Sequence, residues 1–154
     1  IQGIEGMSAT EIVTALKNRQ VTNTVQNARI NRTIAFFEQR DNFMLNLIDE
    51  IASHNSKAWN KGLHSCVRLN GTSDIRWEDI PIANVPNIFS LFPNTHFYDY
   101  TKISNREVPK NYHLTFSLSE SNGIAASHAL ANGLNVAVVF RGKTLPSHYS
   151  STLI

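Results

Sequence analysis

A chain of 154 residues is one domain's length, enough to bury roughly 70% of the surface its unfolded form exposes. Its charged fraction is only 17%, and a formal charge of +2 on scattered Lys and Arg argues against nucleic acid as a partner. No run nears the ~20 apolar residues of a membrane span, and the single cysteine excludes a disulfide framework or a multi-cysteine metal site within one chain.

With no basic-then-apolar leader at its start, the chain is expected to be cytoplasmic and to meet no membrane. It is read as one α/β domain over residues 1–154, with 1–24 loosely attached. Ser8-Ala9-Thr10-Glu11 has the capping-box spacing, and Ile12, Val13 and Leu16 supply the apolar face of a first helix ending near Asn18. Val25, Ala28, Ile30, Ile34 and Phe37 predict a second helix, ending near Gln39. Its Asn27, Arg29, Asn31 and Arg32 have the chemistry to grip a phosphate or carboxylate, although a solvated face is the simpler reading. Asp41 is the expected cap of a third helix, whose Phe43, Met44, Leu47, Ile48 and Ile51 form the clearest amphipathic face. Lys57 to Gly62 is read as loop.

The pattern then changes. Ser65 to Leu69 predicts a short buried strand, with Cys66 an inert buried thiol. It stops in a polar turn carrying Asn70, Thr72, Ser73 and Asp74. Pro86 suits the first turn of a helix that Pro93 ends. His96 to Tyr100 alternates aromatic and polar residues and is the second strand; Tyr112 to Leu118 is the third. A helix from Ile124 to Ala131 follows, stopped by Asn132-Gly133. Asn135 to Phe140 is a near-continuous apolar run, the fourth strand, of the kind expected when both faces are covered. The fold class is therefore α/β: N-terminal helices, then a mostly parallel four-stranded sheet with crossover helices. The link between the second and third strands, about 11 residues, is near the minimum of about a dozen for a parallel crossover, so an antiparallel pairing stays open there.

In parallel α/β sheets functional groups gather where the strands end. One rim would then collect Asn70, Thr72 and Asp74, Tyr100 and Lys102, Ser119 and Glu120, and Arg141. Asp74, Lys102 and Glu120 are the catalytic candidates: carboxylates as bases, the ammonium as an anion clamp. Asn70, Thr72, Tyr100, His113 and Arg141 are the ligand-binding candidates. Turn and cap chemistry alone would account for most of the same residues. His113-Leu114-Thr115 matches the His-x-Thr element of two-histidine phosphoesterases, with His148-Tyr149-Ser150 as a weak second copy. The six histidines show no metal-ligand spacing, so no metal is assigned.

Asn27-Ala28-Arg29-Ile30-Asn31-Arg32-Thr33, Val67-Arg68-Leu69-Asn70-Gly71-Thr72-Ser73-Asp74, Phe97-Tyr98-Asp99-Tyr100-Thr101-Lys102 and His113-Leu114-Thr115-Phe116-Ser117 together resemble the gene-product-88-like family of tailed-phage and prophage proteins. The likeness runs from about Val25 to Tyr149. It implies a partial β/α-barrel-like fold and a phage accessory protein acting in the host cytoplasm. Family members carry an N-terminal cysteine cluster, distantly like radical S-adenosylmethionine enzymes. Residues 1–24 here hold no cysteine, so no iron–sulfur cofactor carries over and the cofactor is left unknown. The leading expectation is a small anionic or nucleotide-like ligand at the strand C-terminal edge, with catalysis as an extension. The competing one is a non-catalytic module that binds a host or phage protein.

Overall fold

The computed structural model describes residues 6–19, 23–82, 84–142 and 144. The chain divides into two compact units, Ile1–Lys61 and Gly62–Ile154.

The first unit is helical: α1 (Ala9–Lys17), α2 (Thr24–Glu38) and α3 (Arg40–Trp59). The capping box forms as the spacing requires, the Ser8 N–H donating to Glu11 Oε2 (2.8 Å) and the Glu11 N–H to Ser8 Oγ (3.3 Å). Asn23 Oδ1 caps α2 by accepting from the Val25 N–H at 2.9 Å. Asp41, expected as a cap, lies inside the first turn of α3 instead, because Gln39 alone separates the two helices. There its carboxylate still complements the helix dipole. Met44 and Ile51 bury the expected face of α3. In α2 the buried ring is Phe36, one position off the predicted stripe. Phe43 packs edge-on against it, ring centroids 5.5 Å apart, and the Arg40 guanidinium lies 3.8 Å over its face. Helix α3 also runs three residues into the segment read as loop, reaching Trp59.

The second unit is built on β1 (Cys66–Val67), β2 (His96–Thr101), β3 (Tyr112–Ser117) and β4 (Asn135–Ala137). A 3-10 turn (Trp77–Asp79) and α4 (Ile88–Leu91) lie between β1 and β2, and α5 (Gly123–Ala131) lies between β3 and β4. All pairings are parallel, in the order β1-β2-β3-β4. The short β2–β3 link is thus a parallel crossover after all, made without a helix. The Asn111 amide secures its end, donating to the carbonyls of Phe89, Phe92 and Thr95 at 3.1–3.2 Å. Pro86 lies before α4 rather than in its first turn; Asn87 is the N-cap, its side chain accepting from the Ser90 N–H at 3.0 Å. Gly133 takes the left-handed conformation (φ +81°) that ends α5.

Two strands differ from expectation for one reason. β1 and β4 are the sheet's edges, so each has one neighbour and pairing stops early. Cys66 is exposed rather than buried. Among the described residues the apolar run after β4 has no strand to lie against, and Val139 is 93% exposed.

Period-two alternation sorts the sheet into two faces. On one, Phe97, Asp99 and Thr101 of β2 stand beside Tyr112, Leu114 and Phe116 of β3, all buried. The Phe89 ring of α4 meets Phe97 edge-on (4.9 Å) and stacks on Tyr112 (4.2 Å). Ala126 and Ala129 of α5 close on Phe116. Every crossover in the described residues packs on this face. The other face, carrying His96, Tyr98, Tyr100 and His113, is left to solvent. Among the described residues no helix is long and apolar enough to cross a membrane.

Candidate functional site at the strand C-terminal edge

A carboxylate in phase with Phe97 on the apolar side of β2 needs partners, and Asp99 has them. The Asn70 N–H donates to Oδ1 (3.0 Å) and Oδ2 (3.1 Å), and the Tyr112 hydroxyl donates to Oδ2 (3.1 Å). Arg68 Nε stands 3.4 Å from Oδ1. Burial still raises the Asp99 pKa above its usual value, these donors and the Arg68 charge offsetting only part of the effect. Burial likewise raises Tyr112, and the Asp99 charge adds to it, so the phenol keeps its proton and donates.

Asn70, the first residue of the polar turn, organises that turn from inside. Its Oδ1 accepts from Ser73 Oγ (2.8 Å), the Ile75 N–H (3.1 Å) and Trp77 Nε1 (3.1 Å), while Nδ2 donates to the Ile75 carbonyl (2.9 Å). One buried amide thus replaces a full turn's backbone hydrogen bonding. The turn presents Asp74 to the end of β2, where Oδ2 accepts from Thr101 Oγ1 (3.0 Å) and the Lys102 N–H (2.8 Å).

Arg106, from the β2–β3 link, closes the arrangement. Its guanidinium is fully buried, forked on Glu78 at 2.7 and 2.6 Å and bonded to Asp74 Oδ1 at 2.9 Å. Nη2 also reaches the Ile75 carbonyl and the Tyr112 hydroxyl, both at 3.4 Å. Burial works against the charge on each partner. The mutual hydrogen bonds and attraction outweigh it, holding Glu78 below the usual carboxylate range and Arg106 above its own. Among the described residues every buried side-chain polar atom has a partner. This cluster is a structural lock, its buried side-chain polar atoms all paired.

The sequence-predicted residues fall into three groups. Asn70 and Asp74 belong to the lock. Thr72, Lys102, Glu120 and Arg141 are exposed at or just past strand ends, and among the described residues the Lys102 ammonium and Glu120 carboxylate have no ion-pair partner. No hydrogen bond or ion pair joins Glu120 or Arg141 to Asp74 among the described residues. Tyr100 and His113 stand on the open face, His113 four residues before β3 ends and so away from the rim. His148 and its neighbours lie outside the described residues. No three His, Cys, Asp or Glu side chains gather into a metal site among the described residues.

Asp99, Arg106, Glu78 and Tyr112 escaped sequence reasoning. One signal was present: an Asp on the apolar phase of a strand demands buried donors, which here are the Asn70 N–H and the Tyr112 hydroxyl.

At the β3–α5 junction Asn122 folds back on the loop, its Oδ1 accepting from the Ser119 N–H (2.7 Å) and its Nδ2 donating to the Ser117 carbonyl (3.0 Å). The amide thereby occupied, α5 starts at the C-terminal end of β3 with no side-chain cap.

Comparison with curated proteins and with solved structures returns no match. The family model described as Gene product 88 matches residues 14–152, nearly the whole chain, so this protein belongs to the gene product 88 family.

Proposed function

We propose that this is a phage accessory protein of the host cytoplasm that binds a small anionic, nucleotide-like ligand at the C-terminal edge of its sheet. The observation that carries the reading is the uncapped start of α5, a nine-residue helix, at the edge where all four parallel strands end. Free first-turn N–H groups and the helix dipole favour an anion at such a point. Lys102, at the end of the neighbouring strand with its ammonium unengaged among the described residues, adds a cation of matching sign. Of the three catalytic candidates, Asp74 is committed to Arg106, Thr101 and the Lys102 N–H. Any base chemistry therefore falls to Glu120.

A second reading, a module that docks on a host or phage protein, draws support from the exposed apolar side chains Ile124, Leu130 and Val139. Thermal-shift titration separates the two. Nucleoside phosphates, inorganic phosphate and S-adenosylmethionine would be tested, each with and without magnesium. A true ligand at a hundred times its dissociation constant is expected to add about 2.7 kcal/mol of stability. Lys102→Ala is expected to weaken that response without changing the unliganded melting temperature. No response across the panel would sink the anion reading in favour of docking.

A further inference from the structure

A parallel sheet ordinarily has helices on both faces, and its strands are apolar on both. Here the face opposite the Asp99 lock is bare of any described helix of its unit, and it is not apolar. Tyr98 is 43% and Tyr100 46% exposed. With His96 they place three rings on alternate residues of β2, at a repeat of roughly 6.6 Å. The imidazoles of His64 and His113 flank His96 on either side, at 6.5 and 6.2 Å between centroids. The Arg68 guanidinium lies 5.2 Å over the Tyr100 ring; it shares its charge with Asp99, yet 39% of its side chain is exposed.

We propose that this open face is a stacking platform for single-stranded nucleic acid. Two features select that occupant. The strand residues of this face include no carboxylate and no Val, Leu, Ile or Met, so it offers planar rings and hydrogen-bonding groups under a cation. A protein partner would look for buried apolar anchors, which are missing. Bases present π-faces to stack on aromatic rings and phosphates to meet Arg and Lys. The row of rings also extends past the footprint of one nucleotide. The formal charge of +2, which argued against nucleic acid for the chain as a whole, sums over both units, whereas the strand residues of this one face hold no carboxylate. The proposal is independent of the strand-end reading, which concerns a different surface.

The test is fluorescence anisotropy with labelled 12-mers of thymidylate and uridylate, on the whole chain at low salt. Saturable binding that weakens with added salt is expected. Tyr98→Ala and Tyr100→Ala should each lower affinity on the order of tenfold, while Tyr98→Phe and Tyr100→Phe retain it. Circular dichroism of each variant guards against unfolding. Absence of binding would overturn the proposal. So would competition by a mononucleotide as strong as that of the 12-mer. Sedimentation provides the last check: a self-associated chain that the Tyr98→Ala change turns monomeric, without oligonucleotide binding, would assign the face to a second copy instead.

Discussion

Arg106→Met is expected to destabilise the strand-bearing unit by about 3–5 kcal/mol, the usual cost of removing one partner from a buried ion pair. The methionine matches the aliphatic stem, so lost packing contributes little. What remains is the Glu78 carboxylate, nearly inaccessible and left with only the longer 3.5 Å ion pair to Arg76, and a half-buried Asp74 without its cation. Denaturant unfolding read by tryptophan fluorescence is the measurement, since Trp77 sits within the same turn. A loss under 1 kcal/mol would mean that the cluster is not the lock described here. The pH dependence has a definite sign. Glu78 is held below its ordinary 4.5, so its contribution is complete above that value and is lost as pH falls through the lower folded one. Glu78→Gln should therefore flatten the acid limb. Asp99 acts oppositely: raised above 3.8 by burial, it favours folding most below that pH and progressively less as pH rises through its folded value.

Asn70→Ala is the second large effect, on the order of 3 kcal/mol. The substitution takes an acceptor from the Ile75 N–H, from Trp77 Nε1 and from the Ser73 hydroxyl, and a donor from the Ile75 carbonyl. Each buried group deprived in this way costs about 1–3 kcal/mol, and relaxation of the turn recovers part of the sum. Asn70→Asp preserves the acceptor but not the donor and adds a charge near Asp99, so it should be no better than alanine. Because the turn carries Asp74 to the end of β2, both variants are expected to loosen the Lys102 N–H. Hydrogen exchange at that amide would report it. Full protection in Asn70→Ala would show that the turn holds Asp74 by other means.

Much of the fold was legible because its signals are local. The Ser8–Glu11 box, the Asn132-Gly133 stop and the alternation of His96 to Tyr100 each act within a few residues, and each formed where expected. The cap of α3 falls at Gln39, two positions before Asp41, since neighbouring helices joined through a single residue leave no room for a separate cap, and the buried ring of α2 is Phe36, one position from the predicted Phe37. The rim residues were legible as polar strand-end groups, but the partner of Asp74 was not. Asp74 looks like a base from its position in the chain. Only Arg106, thirty-two residues onward, makes it half of an ion pair.

The chain's own chemistry determined where helices and strands begin, which residues alternate along β2, and that a polar turn follows β1. Tertiary structure alone decided that β3 runs parallel to β2 through so short a link, that β1 and β4 are edges with Cys66 and Val139 exposed, and that among the described residues one sheet face carries every crossover while the other stays open. Caps and alternation depend on neighbours a few residues away. Strand direction, face coverage and the partner of a buried charge depend on residues tens of positions apart, whose meeting no local pattern encodes.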